Sequence, residues 1–165
     1  MPEPVPRASE PTALPSAGAA ASRHHRATLV PLVDQQLAAC RRSGASLVVL
    51  SISLEQHDAA EQRPGQAIRH RVLQAAWTRL TNTLRASDIA VHVGHDELGA
   101  IVLRAAEPAA AVVDARVIAA LCTPYSIAGV DVALTARTGF AVYPQAGSTG
   151  EDLVRAAHEA RAADQ

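Results

Sequence analysis

Residues 85–103 read RASDIAVHVGHDELGAIVL, and the rest of the chain can be laid out around them. Ile89, Val91 and Val93 alternate with Ala90 and His92, the two-residue period of a half-buried strand. The polar tetrapeptide Gly94-His95-Asp96-Glu97 interrupts this pattern, and Leu98 to Leu103 is apolar again. The stretch predicts a β-hairpin. Gly94 is expected to open its turn at positive φ, with the Asp96 and Glu97 carboxylates at the tip. In front of the hairpin, Arg85-Ala86-Ser87-Asp88 closes a helical pattern and sets a guanidinium three residues from a carboxylate. One reading of this pair is a surface salt bridge within the turn, worth at most about 1 kcal/mol. The other is a polar edge that meets a ligand.

On the N-terminal side, Ile68, Val72, Ala76, Leu80 and Leu84 share one face of a helix expected over 67–84. The polar run EQHDAAEQRPG, residues 55–65, reads as a loop. The apolar run SLVVLSISL, residues 46–54, reads as a central strand buried on both faces. Leu29, Val33, Leu37 and Cys40 mark a helix over 23–42, ended by Ser43-Gly44. Residues 1–22 are rich in Pro, Ala and Ser without a period and read as a disordered tail, so the folded domain is expected over 23–165. His24-His25 without a third ligand reads as a helix start in water, not a metal site. On the C-terminal side, a helix is expected over 108–121 with Val113, Val117 and Leu121 inward. Strands follow over 125–127 and 130–142, turned at Ala128-Gly129, and a last helix over 150–163.

The length of 165 residues suits one domain with a real core. Aromatic residues make up 2% of the chain, so that core has to be aliphatic. All 15 basic residues are arginine, yet the net charge is -1, which argues against broad nucleic-acid binding. Cys40 and Cys122 both lie in apolar helical patterns and are expected to be buried free thiols, as in a reducing compartment. No apolar run is long enough to span a membrane and no secretory signal core is visible, so a cytoplasmic location is expected.

Gly94-His95-Asp96-Glu97-Leu98 resembles the Gly-Gly-Asp/Glu-Glu-Phe signature of the GGDEF family, the diguanylate cyclases and their inactive relatives. Arg85 and Asp88 stand where many members carry the RxxD inhibitory site, with the same five-residue gap before the signature. The run Thr138-Gly139-Phe140-Ala141-Val142-Tyr143-Pro144 is similar to a strand of the family, and Glu151-Asp152-Leu153 to the helix after it. The resemblance covers roughly Ala27 onward. It implies an α/β, palm-like domain of the nucleotidyl-cyclase type. Its central sheet would be mostly antiparallel and flanked by helices, in βααββαβ order.

For activity, the resemblance implies losses. The strand aspartate that binds Mg²⁺ in active cyclases falls on Ser51, and a second on Ser53; hydroxyls do not replace carboxylates for a hard cation. A phosphate-binding lysine falls on Gln56, a guanine-reading Gly-Asp pair on Arg69-His70, and a signature glycine on His95. A further phosphate-binding lysine falls on Gln165. No catalytic residue, metal site or cofactor is therefore expected. His92, His95 and Asp96 carry no metal-binding spacing. What the resemblance leaves is a receptor for cyclic di-GMP. Arg85 would fork onto a guanine, Asp88 would accept from guanine N–H groups, and Arg116 would meet the second guanine or a phosphate. Such a receptor would signal to a partner protein and leaves a homodimer open. The alternatives are an interaction module without either nucleotide site, and a residual cyclase.

Overall fold

The structure, a computed structural model, describes residues 17–57 and 65–163. Its elements are α1 (Ala17–Ser43), β1 (Leu47–His57), α2 (Gln66–Thr83), β2 (Ile89–His92), β3 (Glu97–Leu103), α3 (Glu107–Cys122), β4 (Tyr125–Ile127), β5 (Val130–Tyr143) and α4 (Gly150–Ala163). The sheet order is β2-β3-β1-β5-β4, and every pairing is antiparallel. This is the palm-like α/β domain that the sequence predicts. Its element order differs from βααββαβ: two strands, β4 and β5, follow α3, the helix α4 comes after them, and the first helices are placed differently. Among the described residues a single helix, α2, stands between β1 and the hairpin, and the other helix, α1, precedes β1.

β1 explains the layering. Val48, Leu50, Ile52 and Leu54 point into a core shared with α2 and α3, while Leu47 and Val49 point into a second core shared with α1 and α4. A strand covered on both faces is mostly apolar on both, which is why this run shows no alternation. The stripes read from the sequence face these cores. Leu29, Val33 and Leu37 of α1 are fully buried, as are Val72, Ala76 and Leu80 of α2 and Val117 and Leu121 of α3.

Two boundaries differ clearly from expectation. α1 begins at Ala17, so its first turns lie in the expected tail; residues 1–16 are outside the described residues. β1 continues through Glu55, Gln56 and His57, which pair with Thr135, Leu134 and Ala133 of β5. Beyond Ser53 the strand has no β3 partner, so it is an edge there and tolerates polar residues. The rest of the expected loop, residues 58–64, lies outside the described residues. Both cysteines are free, but only Cys40 is buried, and burial pushes its thiol pKa up. Cys122 is half-buried, and its Sγ accepts the Ala136 N–H at 3.4 Å.

Candidate functional site

The β2–β3 hairpin carries candidate groups at both of its ends. At its turn, the N–H groups of Val93 and Gly94 donate to the Glu97 carbonyl at 3.1 and 3.0 Å, and Leu54 N–H donates to the Asp96 carbonyl at 2.8 Å. These bonds tie the turn to β1. Gly94 does not take up positive φ, contrary to expectation; Gly44, Gly129 and Gly147 do. A Cβ on Gly94 would meet the Glu97 Cβ at 3.5 Å, an ordinary contact, so neither conformation nor space demands glycine there.

The two carboxylates expected at the tip part company. Asp96 stays near the surface, 3.8 Å from the Arg69 guanidinium of α2. Glu97 is the first residue of β3, and strand alternation turns its side chain into the α1/α4 layer. There its Oε1 accepts a 2.9 Å hydrogen bond from Arg161 Nη2, with both side chains about nine-tenths buried. His158, one turn earlier on α4, places Nδ1 3.0 Å from the same Nη2. A guanidinium only donates, so Nδ1 accepts and the neutral ring carries its proton on Nε2. Burial first, then the Arg161 charge, hold the His158 pKa below its ordinary value.

Ser51 lies on the same face. It pairs with Gly99 on one side and Gly139 on the other, and it is fully buried, with no hydrogen-bond partner for its Oγ among the described residues. The flanking glycines let two helices close over it. A Cβ on Gly99 would come within 2.9 Å of Leu29 of α1, and one on Gly139 within 2.1 Å of the Arg161 backbone nitrogen. Leu98 of the signature is buried in the opposite core, and His95 is exposed. His92 stacks on Trp77 of α2, with ring centroids 4.6 Å apart. Gln56 faces Leu134 on β5, and His70 is exposed on α2. Among the described residues no three His, Cys, Asp or Glu side chains converge. His24 and His25 lie in α1 with side chains outside the description.

At the other end of the hairpin, Asp88 clasps a turn. Its Oδ2 accepts the Arg85 N–H at 2.9 Å, its Oδ1 accepts the Leu103 N–H at 3.1 Å, and its own N–H donates to the Arg85 carbonyl at 3.0 Å. The salt bridge imagined between the Arg85 and Asp88 side chains is replaced by these backbone contacts. The Arg85 guanidinium is exposed and has no ion-pair partner among the described residues. Arg116 is exposed on α3, one residue before buried Val117. α2 and α3 pack side by side. Arg79, one turn before the end of α2, donates to the carbonyls of Ala120, Thr123 and Pro124, and its guanidinium lies 3.7 Å from the Tyr125 ring centroid. Sequence reading missed Arg79 and Arg161. Nothing local marks either one, since each finds its partners on an element distant in the chain.

An antiparallel palm sheet with helices on both faces, and a carboxylate-bearing hairpin against the central strand, defines a nucleotidyl-cyclase type of domain. The chain belongs to the GGDEF family: the family described as "Diguanylate cyclase, GGDEF domain" matches residues 24–164. A curated relative, "Cyclic di-GMP phosphodiesterase NbdA" of Pseudomonas aeruginosa, is 24% identical over 132 residues; the match covers 78% of this chain and only 17% of that protein. A sensory box/GGDEF family protein from Caulobacter crescentus has a similar structure, with 27% identity and a TM-score of 0.74 over 84% of this chain and 90% of that one. The GGDEF domain of DgcB from Caulobacter crescentus, solved in complex with c-di-GMP, shares the fold at 16% identity, with a TM-score of 0.71 over 81% of this chain and 80% of that one. No helix among the described residues is long and apolar enough to cross a membrane.

Proposed function

We propose that this domain is a non-catalytic receptor for cyclic di-GMP, which it binds through Arg85, Asp88 and Arg116 and reports to a partner protein in the cytoplasm. The observation that carries the reading is the turn between α2 and β2. Asp88 fixes its backbone, and Arg85 stands exposed on it with no carboxylate partner among the described residues. A guanidinium held this way is free to fork onto O6 and N7 of a guanine or onto a phosphate. The name of the DgcB complex supports the choice of ligand by analogy of fold.

The non-catalytic half rests on the hairpin turn. The residues present do not suit divalent ions. Ser51 offers a neutral hydroxyl beneath packed helices, and Glu97 already has Arg161 as its counter-charge. Phosphoryl transfer to a nucleotide depends on such ions, and Asp96 is the one signature carboxylate left near the surface. A second reading, an interaction module without ligand, draws on the occupancy of both Asp88 oxygens by backbone N–H groups. Each oxygen keeps a lone pair for a guanine N–H, so the receptor reading takes precedence.

Calorimetric titration separates the two. Cyclic di-GMP is expected to bind the wild-type chain and to raise its melting temperature, and Arg85→Ala is expected to weaken binding at least about tenfold. No heat and no thermal shift at high ligand concentration would leave the interaction module. Incubation with GTP and Mg²⁺ or Mn²⁺ is expected to give no cyclic product; product that disappears in Asp96→Ala would establish a cyclase instead.

A further inference from the structure

We infer that Arg104 is a further ligand-contacting residue of the site at Arg85, Asp88 and Arg116, a cation that lies outside the RxxD motif. The inference rests on the receptor reading and extends it.

Arg104 occupies the connection between β3 and α3, the helix that bears Arg116. Its φ is +55°, in the left-handed region where a residue with a Cβ is disfavoured. Two hydrogen bonds hold the chain there. Arg104 N–H donates to the Ser46 carbonyl at 2.9 Å, and the preceding N–H, of Leu103, donates to Asp88 Oδ1 at 3.1 Å. The other oxygen of that carboxylate holds the Arg85 N–H at 2.9 Å. One carboxylate thus joins the two backbones from which Arg85 and Arg104 project.

The charges around it do not balance locally. Some arginines of the domain meet carboxylates, Arg26 with Glu151, Arg69 with Asp96, Arg137 with Glu55, Arg155 with Asp152 and Arg161 with Glu97; others, Arg116 among them, do not. Arg85 and Arg104 are both exposed, and among the described residues neither guanidinium has an ion-pair partner, although Glu107 follows Arg104 by three residues. Each Asp88 oxygen already accepts one backbone N–H. Two like charges anchored to one already engaged carboxylate favour a ligand that brings negative charge, and a guanidinium matches a phosphodiester by paired N–H donors. Glycine would adopt the left-handed backbone at Arg104 without strain, and the chain carries a guanidinium there instead. On this inference Arg85 meets a guanine edge and Arg104 the cyclic diphosphate.

The test uses the full chain and compares wild type, Arg85→Ala and Arg104→Gly by calorimetric titration with cyclic di-GMP and by melting without ligand. Glycine suits the left-handed backbone, so Arg104→Gly is expected to melt no lower than wild type. It is expected to bind about tenfold more weakly at low salt, with a smaller deficit at high salt. Undiminished binding by Arg104→Gly, beside a loss in Arg85→Ala, overturns the role of Arg104 and leaves the receptor reading intact. Weaker binding accompanied by a lower melting temperature also overturns it, since Arg104 then acts through the fold. Absence of binding by the wild type overturns the receptor reading itself, and this inference with it.

Discussion

Glu97 and Arg161 form a buried ion pair between the first residue of β3 and the last turn of α4. Both charges have left water, and an arrangement of this kind resists loss of one partner far more than loss of both. Arg161→Leu strips Glu97 of its guanidinium and is expected to lower stability by about 3 kcal/mol. The Glu97→Gln/Arg161→Leu double variant is expected to recover much of that loss. Urea denaturation checks both, and additive losses would show that the pair is not coupled. Nothing in the sequence betrays this pair. Glu97 reads as a polar tip residue, and its burial follows from where the strand begins, at Glu97 itself. Arg85 and Asp88 were legible as a motif, but not the way Asp88 serves two backbones, because Leu103 is brought to it only by the pairing of β2 with β3.

The elements themselves were easier to read than their ends. Helices with apolar stripes and a mostly apolar central strand are dictated by what they bury. Their boundaries are set by neighbours, as the extension of β1 along β5 shows. The β4–β5 turn is a case where the local signal was right and the detail instructive. Ile127 pairs with Val130, leaving Ala128 and Gly129 as a two-residue loop with φ of 52° and 79°. Both central residues lie in the left-handed region, the geometry of a type I′ turn, which favours asparagine or glycine at the first position. Ala128→Asn is therefore expected to stabilise the domain by about 0.5–1 kcal/mol. An unchanged or lower urea midpoint would mean that this turn is not closed in solution as it is here.

At the scale of the molecule, the sheet divides two cores, and the turn that holds Arg85 and Asp88 sits between the end of α2 and the start of β2. The composition forecast an aliphatic interior, and apart from Tyr125 the largest fully buried side chains are indeed leucine, isoleucine and valine. Which helices share a face was not legible, because α1 and α4 come together from opposite ends of the chain. That same pairing governs how the chain can fold. β1 is made early in synthesis, yet Leu47 pairs with Tyr143, and the Leu29–Val33–Leu37 face of α1 waits for Leu153 and Val154. The two hairpins can close locally, but the central ladder has to pay its loop-closure entropy before any contact rewards it, a topology that folds slowly for its size. Until β5 arrives, an apolar strand stands with one edge open, the kind of edge other chains add to. A fragment ending at Gly129 is thus expected to show no cooperative unfolding and to aggregate, measured by circular dichroism and sedimentation. A soluble fragment with a sharp transition would place the folding nucleus entirely within the first hairpin and its helices.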